Sequence, residues 1–223
     1  MRFRHGLLVF ILTAAGFAAT SSDAAAAGCK APGNASEFEV SANIDVGEPS
    51  VSNNLSKAQL GRSNMHGRKG QILGTTRSGL ELRRTISDKL RNWKKQYCFW
   101  VASADVDISY HQLEVIIASE YEPGSCEYEA VLDHEYEHVE VAQEILRPYA
   151  KQISAALASV AIPTFHQPSI ANSPEDAREE VEAIFRSTLH PVRDKINRAL
   201  EVNQAVVDTK ENYRRTWRRC KNW

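Results

Sequence analysis

The chain has 223 residues, of which 43% are hydrophobic and 25% are charged. These values are close to the averages of globular proteins, and they exclude wholesale disorder, a collagen-like repeat and a coiled coil. The 27 Lys and Arg residues nearly balance the 28 Asp and Glu residues. This balance argues against a general nucleic-acid-binding protein, which would carry a marked basic excess. We therefore expect one globular domain without a nucleic acid partner.

The amino-terminal residues 1–27 have the pattern of a secretory signal peptide. Two arginines precede an apolar run at residues 6–19, and small residues continue to Ala27. The apolar run is shorter than the roughly 20 residues that span a bilayer, and an A-x-A cleavage site follows it. The pattern predicts cleavage after Ala27, no membrane span, and export to the periplasm or the medium as a single domain of residues 28–223.

The first part of the mature chain has the period of β-strands. Residues 38–46 alternate between apolar and polar side chains, which predicts one strand. We interpret residues 47–54 as a turn-rich connector, and residues 60–79, which contain five glycines, as loops and short strands. Residues 80–95 are ambiguous, because their first half is typical of a strand and their second half could begin a helix at Ser87.

Four cysteines follow the predicted cleavage site, and an even number suggests two disulfides formed in an oxidising compartment. The strand-like pattern that begins at Cys98 is too long for one strand, so we predict that it reverses near His111 as a hairpin. That reversal would bring Cys98 close to Cys126. We therefore expect a Cys98–Cys126 disulfide, with a second disulfide between Cys29 and Cys220.

The second half of the chain changes to helical spacing. Ser125 is a candidate N-cap, and Pro148 is expected to divide the helix that follows it. Residues 173–174, a Ser-Pro pair, have the composition of a helix start. Pro191 is expected to interrupt this second helix before a last helix runs from about 192 to 217. With strands first and helices after, the predicted fold class is α+β.

One motif carries chemistry: residues 134–138 read His-Glu-Tyr-Glu-His, an H-E-x-x-H sequence. In a helix, His134 and His138 lie on one face about one turn apart, so both imidazoles can reach one metal ion. Glu135 then lies beside the open coordination position, where it can take a proton from a water that zinc activates. The alternative is a pair of core histidines without a metal, which would bury polar groups at a cost.

A third protein ligand is needed to hold zinc and still leave one position open. We predict Glu180, which lies on the inward face of the helix after residue 174. Three other histidines are rival ligands: His111, His166 and His190. A donor to the developing oxyanion is required as well, and the sequence does not choose between His190 and Tyr213.

The segment YEPGSCEYEAVLDHEYEHVEVA, residues 121–142, resembles the motif region of an uncharacterised family of secreted bacterial zinc-dependent peptidases of the zincin group. The resemblance implies a zincin-like α+β fold with antiparallel strands in residues 28–122 and the motif helix and later helices in residues 125–219. It also implies hydrolysis of a peptide or protein substrate with Zn²⁺. By this similarity the metal ligands and base carry over directly to His134, Glu135 and His138, and the E-x-x-A sequence at Glu180 is similar to a third-ligand helix.

Charge is unevenly distributed in the second half of the chain. Residues 120–144 contain nine acidic side chains and no Lys or Arg, whereas residues 210–221 contain six basic side chains and one acidic one. We interpret the basic end as a terminal helix whose cations suit the helix dipole. Contact with anionic lipid or a cell-wall polymer at the envelope is the alternative.

These observations together predict an exported zinc metallopeptidase. A strand at residues 113–121, ahead of the motif helix, is the candidate edge that would pair with an extended peptide, and the alternative is an interior strand. Two other functions stay open at this level. One is a non-catalytic metal-binding envelope protein, and the other is a zinc amidase that acts on a cell-wall component.

Overall fold

The computed structural model describes residues 29–33, 37–63 and 72–223, so the predicted signal peptide lies outside the described residues. The described strands are β1 (Glu39–Asp45), β2 (Ser50–Leu55), β3 (Gly74–Arg77), β4 (Leu80–Trp93), β5 (Gln96–Tyr110), β6 (Glu114–Ala118) and β7 (Ser169–Ala171). The described helices are α1 (Lys57–Ser63), α2 (Cys126–Leu146), α3 (Tyr149–Ser159), α4 (Pro174–Val207) and α5 (Lys210–Trp217). The predicted α+β class is confirmed.

The strands form two separate sheets with mixed strand directions. In the first sheet the order is β1-β5-β4, with β7 pairing to the start of β5. In the second sheet the order is β2-β6-β3, so that β3 is an edge among the described strands. Strands β1 and β5 are parallel, as are β2 and β6. The predicted antiparallel strands are therefore present only in part, because each sheet also contains one pair of strands that are distant in sequence and parallel.

The predicted hairpin within the run after Cys98 is also wrong. The chain does change direction at Gln112, which has a positive φ of 76°. However, β5 and β6 on either side of this turn belong to different sheets. The antiparallel partner of β5 is β4, in a register that runs from Leu80 opposite Tyr110 to Trp93 opposite Gln96. This long pairing also settles the ambiguous residues 80–95, which are strand up to Trp93.

Both predicted cysteine pairings are wrong for the same reason. The disulfides join Cys29 to Cys98 and Cys126 to Cys220. Since the chain leaves the first sheet after Tyr110, Cys126 lies away from Cys98 and meets the segment that follows α5 instead. All four cysteines are paired, which is typical of proteins that fold in an oxidising compartment.

Helices α2 and α4 begin directly after the capping residues that the sequence predicts. Ser125 Oγ accepts a hydrogen bond from the Tyr128 amide at 3.2 Å, and Ser173 Oγ accepts one from the Asp176 amide at 3.0 Å. The chain divides at Pro148 into α2 and α3 as expected. The predicted interruption at Pro191 is wrong: α4 continues through it, with buried side chains on both sides of the proline. The predicted connector at residues 47–54 is likewise corrected, because most of it forms β2.

The motif helix α2 packs closely against the edge strand β3, and Gly74 allows this approach. A Cβ atom at Gly74 would lie 2.5 Å from Val131 Cγ1 and 3.0 Å from Glu135 Oε1, closer than such atoms pack. α2 also contacts α4 and α5. Across the described ranges of the chain, no helix combines the length and the apolar character needed to cross a membrane.

Candidate metal centre

The H-E-x-x-H motif lies in the middle of α2 and is buried. The exposed fractions of His134, Glu135 and His138 are 6%, 5% and 9%. The two imidazole rings contact each other edge to face, with their centroids 5.1 Å apart. One helical turn therefore presents both rings to the same interior region, as the i, i+4 spacing predicts.

A carboxylate from a different helix completes this cluster. Asp208 follows the last residue of α4, and its backbone amide donates to the Gln204 carbonyl at 3.3 Å. Its Oδ1 atom lies 3.3 Å from His138 Nε2 and 3.6 Å from His134 Nε2. One donor atom from each of the three side chains lies within 4.8 Å of the other two. Two helices that are distant in sequence thus bring two imidazoles and one carboxylate together.

Glu180, the predicted third ligand, lies elsewhere. Its side chain is exposed and accepts a hydrogen bond from Ser169 Oγ at 3.1 Å. The residue of α4 that contacts His138 is Gln204, 24 residues further along the same helix. At 1.5 Å per residue this separates Glu180 from the cluster by about 36 Å along the helix axis. The prediction of Glu180 is therefore wrong in placement, and the carboxylate that lies beside the two motif histidines is that of Asp208.

The rival histidines are also remote from the cluster. His111 is exposed in the turn after β5, beside Gly79. His166 is exposed, 3.9 Å from a Glu37 carboxylate. His190 is exposed on α4, where its Nδ1 lies 3.3 Å from Asp194. These three residues are surface or turn histidines in this structure.

Glu135 is held in place by the edge strand β3. Thr76 Oγ1 donates to Glu135 Oε2 at 2.8 Å, and the same hydroxyl lies 3.0 Å from the Glu135 carbonyl oxygen. Burial raises the pKa of the Glu135 carboxyl, against the opposing influence of His138 and His134. A carboxylate with a raised pKa beside the metal donors is suited to accept a proton and to return it. Sequence analysis did not identify Thr76.

The pKa values of His138 and Asp208 shift in opposite directions. Burial lowers the pKa of His138, but the hydrogen bond to Asp208 and the charge of Glu135 outweigh it and raise that pKa above 6.5. Burial also opposes ionisation of Asp208, yet its contacts with both imidazoles and a hydrogen bond from Tyr213 hold its pKa well below the ordinary value. The carboxylate of Asp208 is thus ionised at neutral pH.

Two neighbouring side chains contact the donors. Gln204 Oε1 hydrogen-bonds to His138 Nδ1, and Gln204 Nε2 donates to the His138 carbonyl at 2.9 Å. Tyr213 Oη donates to Asp208 Oδ1 at 2.6 Å, and its ring centroid is 5.1 Å from that of His134. Of the two candidate oxyanion donors, Tyr213 therefore lies at the cluster.

The basic carboxyl-terminal segment is attached to the acidic motif helix. Arg215 pairs with Glu137, and Arg219 Nη1 lies 2.6 Å from Asp133 Oδ2. The Cys126–Cys220 disulfide joins the same two segments covalently. Two of the cations considered for contact with the envelope therefore neutralise acidic groups of α2. These contacts hold α5, and with it Tyr213, over the cluster.

The residues present fit a zinc ion. Zinc in proteins takes imidazole and carboxylate ligands at about 2.0–2.2 Å, and two ligands in tetrahedral geometry are then about 3.4 Å apart. The distances of 3.3 and 3.6 Å from Asp208 Oδ1 to the two Nε2 atoms are close to this value. Three protein ligands would leave one position for water or substrate.

The signal that could have located Asp208 is the end of a helix. Asp208 follows the apolar pair at residues 206–207, and Thr209 caps α5 by accepting from the Asn212 amide at 3.3 Å. The sequence pattern predicts one helix from about 192 to 217, and this prediction places Asp208 inside a helix. α4 ends at Val207, α5 begins at Lys210, and both helices contact α2.

Comparison with known proteins adds no relatives to these observations. No family model matches the sequence, and no curated protein and no solved structure matches it at a significant level. The resemblance of residues 121–142 to secreted zinc peptidases therefore stays a prediction from the motif itself.

Proposed function

We propose that this protein is an exported zinc metallopeptidase, in which His134, His138 and Asp208 hold the metal and Glu135 is the general base. The observation that carries the proposal is the convergence of three donor atoms beside a buried glutamate, with the carboxylate oxygen at zinc-like separations from both imidazole nitrogens. A structural zinc site usually has four protein ligands, whereas a catalytic site has three. The three donors of this cluster match the catalytic arrangement.

Each residue has a defined role in this proposal. When bound, Zn²⁺ supplies Lewis acidity that polarises a carbonyl group and lowers the pKa of water. Glu135 accepts the proton of the attacking water and delivers it to the leaving amine. Thr76 holds one oxygen of that carboxylate through the 2.8 Å hydrogen bond. Tyr213 is the candidate donor to the oxygen on which negative charge develops.

The position of β3 favours a peptide as the substrate. This strand lies at the edge of the second sheet and carries Thr76, which contacts the general base. An extended peptide that pairs with an edge strand gains main-chain hydrogen bonds irrespective of its sequence. The strand predicted for this purpose, residues 113–121, is β6 and lies in the middle of the sheet. We therefore assign the pairing with an extended peptide to β3 and not to β6.

The decisive experiment compares metal content with hydrolysis of an unfolded protein by the same preparations. We expect wild type to bind one Zn²⁺ and to cleave the substrate, and Glu135→Gln to keep zinc but to lose activity by about 10²–10⁴-fold. Glu140→Gln is a matched control, because Glu140 is an exposed glutamate on the same helix. Equal activity of Glu135→Gln and wild type would overturn the assignment. A wild-type protein that binds zinc without cleaving peptides would indicate a non-catalytic metal site or an amidase.

A further inference from the structure

Gln204 makes two hydrogen bonds to one residue. Its carbonyl oxygen meets the ring Nδ1 of His138, and its amide nitrogen donates to the backbone carbonyl of His138 at 2.9 Å. From this pair of contacts we infer that Gln204 is a positioning residue, which selects the tautomer of His138 that can bind the metal through Nε2. The inference rests on the proposed metal site and adds a determinant of its affinity.

The choice of tautomer depends on which atoms of the His138 imidazole and the Gln204 carboxamide donate and which accept hydrogen bonds. A neutral imidazole carries one N–H, and the nitrogen without it provides the lone pair that binds a metal. In the neutral imidazole that binds a metal, an acceptor at Nδ1 keeps the proton on Nδ1 and leaves the lone pair on Nε2. In the metal-free protein this Nε2 atom donates to Asp208 at 3.3 Å, so metal binding would replace that proton. Outer contacts of this kind fix the orientation and raise the basicity of ligating histidines.

The backbone of α2 fixes the orientation of the Gln204 carboxamide. A carbonyl oxygen accepts hydrogen bonds and cannot donate them, so the His138 carbonyl requires the amide nitrogen of Gln204 on its side. The carboxamide oxygen must then point to His138 Nδ1. Rotating the carboxamide by 180° would place two oxygens against each other and would offer a donor to Nδ1, favouring the wrong tautomer. The backbone of α2 thus sets the orientation of the Gln204 carboxamide.

Gln204 also connects His138 to the carboxylate ligand. Its backbone carbonyl accepts from the Asp208 amide at 3.3 Å, so the same residue bonds to two of the three donors. His134 is different: its Nδ1 atom is buried and has no hydrogen-bond partner among the described residues. Of the two motif histidines, His138 is therefore the one whose Nδ1 atom has a protein partner.

The test measures zinc affinity by competition with a chromogenic chelator for wild type, Gln204→Leu, Gln204→Glu and Asn203→Leu. Leu has a similar size but no hydrogen-bonding group, Glu keeps an acceptor, and Asn203 is an exposed neighbour on α4 that serves as control. We expect Gln204→Leu to weaken zinc binding by about 10- to 100-fold and Gln204→Glu to recover most of the loss. Asn203→Leu should bind as wild type does.

A second readout does not depend on any variant folding. In zinc-loaded wild type, nitrogen-15 NMR of the histidine rings should show the His138 proton on Nδ1, protected from exchange with water. A ring proton on Nε2 of His138 in wild type would overturn the inference, as would equal zinc affinity of Gln204→Leu and wild type. If wild type binds no zinc, the proposed function itself fails, which is a distinguishable result.

Discussion

The two ends of α4 each carry an acidic side chain near a neighbouring element, and they differ in surroundings. At the first end, Glu180 is exposed and bonded to a serine of β7. At the last end, Asp208 lies between two imidazoles and a tyrosine hydroxyl. Helical periodicity predicts which face of a helix a residue occupies. The comparison shows that position along the axis matters as much, and that position depends on how the helices pack.

The largest expected effect comes from exchanging the carboxylates of this comparison for amides. Asp208→Asn should weaken zinc binding by more than about 100-fold, since a ligand contributes more than the outer contacts that are worth 10- to 100-fold. Glu180→Gln should leave zinc affinity unchanged. Titration of both variants with Zn²⁺ measures the difference. Comparable losses of zinc affinity in the two variants would mean that the first end of α4, which carries Glu180, also acts on the metal.

The two disulfides extend the comparison from single residues to segments. Their loops are similar, with separations of 69 and 94 residues, so opening either one should destabilise the protein by about 2–5 kcal/mol. Only the Cys126–Cys220 loop contains Asp208 and Tyr213. The Cys126→Ser/Cys220→Ser variant should therefore also lose zinc affinity by about 10-fold, which is the lower end of the effect of removing a residue that supports a metal ligand. The Cys29→Ser/Cys98→Ser variant should keep its zinc affinity. Denaturant unfolding and zinc titration measure the two effects separately.

The role of Tyr213 can be resolved within the carboxyl-terminal region. Tyr213→Phe removes the hydroxyl and keeps the ring beside His134. If the hydroxyl acts on the substrate oxygen, kcat should fall by about 10²-fold with little change in zinc affinity. If it acts through Asp208, zinc affinity should fall and activity should return at saturating zinc. Peptide hydrolysis at two zinc concentrations distinguishes these results.

The smallest effect is a dependence of stability on pH in the presence of a chelator. The folded protein keeps His138 protonated above its ordinary pKa of 6.5, so this stabilisation is complete below pH 6.5 and is lost as the pH rises through the raised pKa. The lowered pKa of Asp208 has the opposite sign, and its contribution is lost below the ordinary value of 3.8. The melting temperature should thus decline above pH 6.5, and Asp208→Asn should flatten this decline. Glu180→Gln should follow wild type, and an equally steep decline in Asp208→Asn would contradict the pairing.

Local signals in the sequence predicted the local features of the fold. Ser125 and Ser173 cap their helices, and the spacing of His134 and His138 places both rings on the buried face of α2. These features depend on residues within one or two turns of each other, where helix geometry leaves little choice.

The features that the sequence did not predict depend on contacts between distant segments. The cysteine pairing follows from the passage of the chain from one sheet to the other after Tyr110, which no residue near Cys98 or Cys126 signals. The position of Asp208 depends on α4 continuing through Pro191, because the buried residues around that proline pack well enough to offset its missing hydrogen bond. Packing over the whole length of the helix thus outweighs a local breaker.

The disulfide between Cys126 and Cys220 also has a consequence for the order of assembly. These cysteines are separated by 94 residues, and Asp208 lies close to the later one. In a chain delivered amino end first across a membrane, the motif histidines emerge long before the carboxylate and the cysteine that complete their surroundings. The cluster of His134, His138 and Asp208 can therefore form only after residue 208 is available, and the disulfide that holds the next segment only after residue 220.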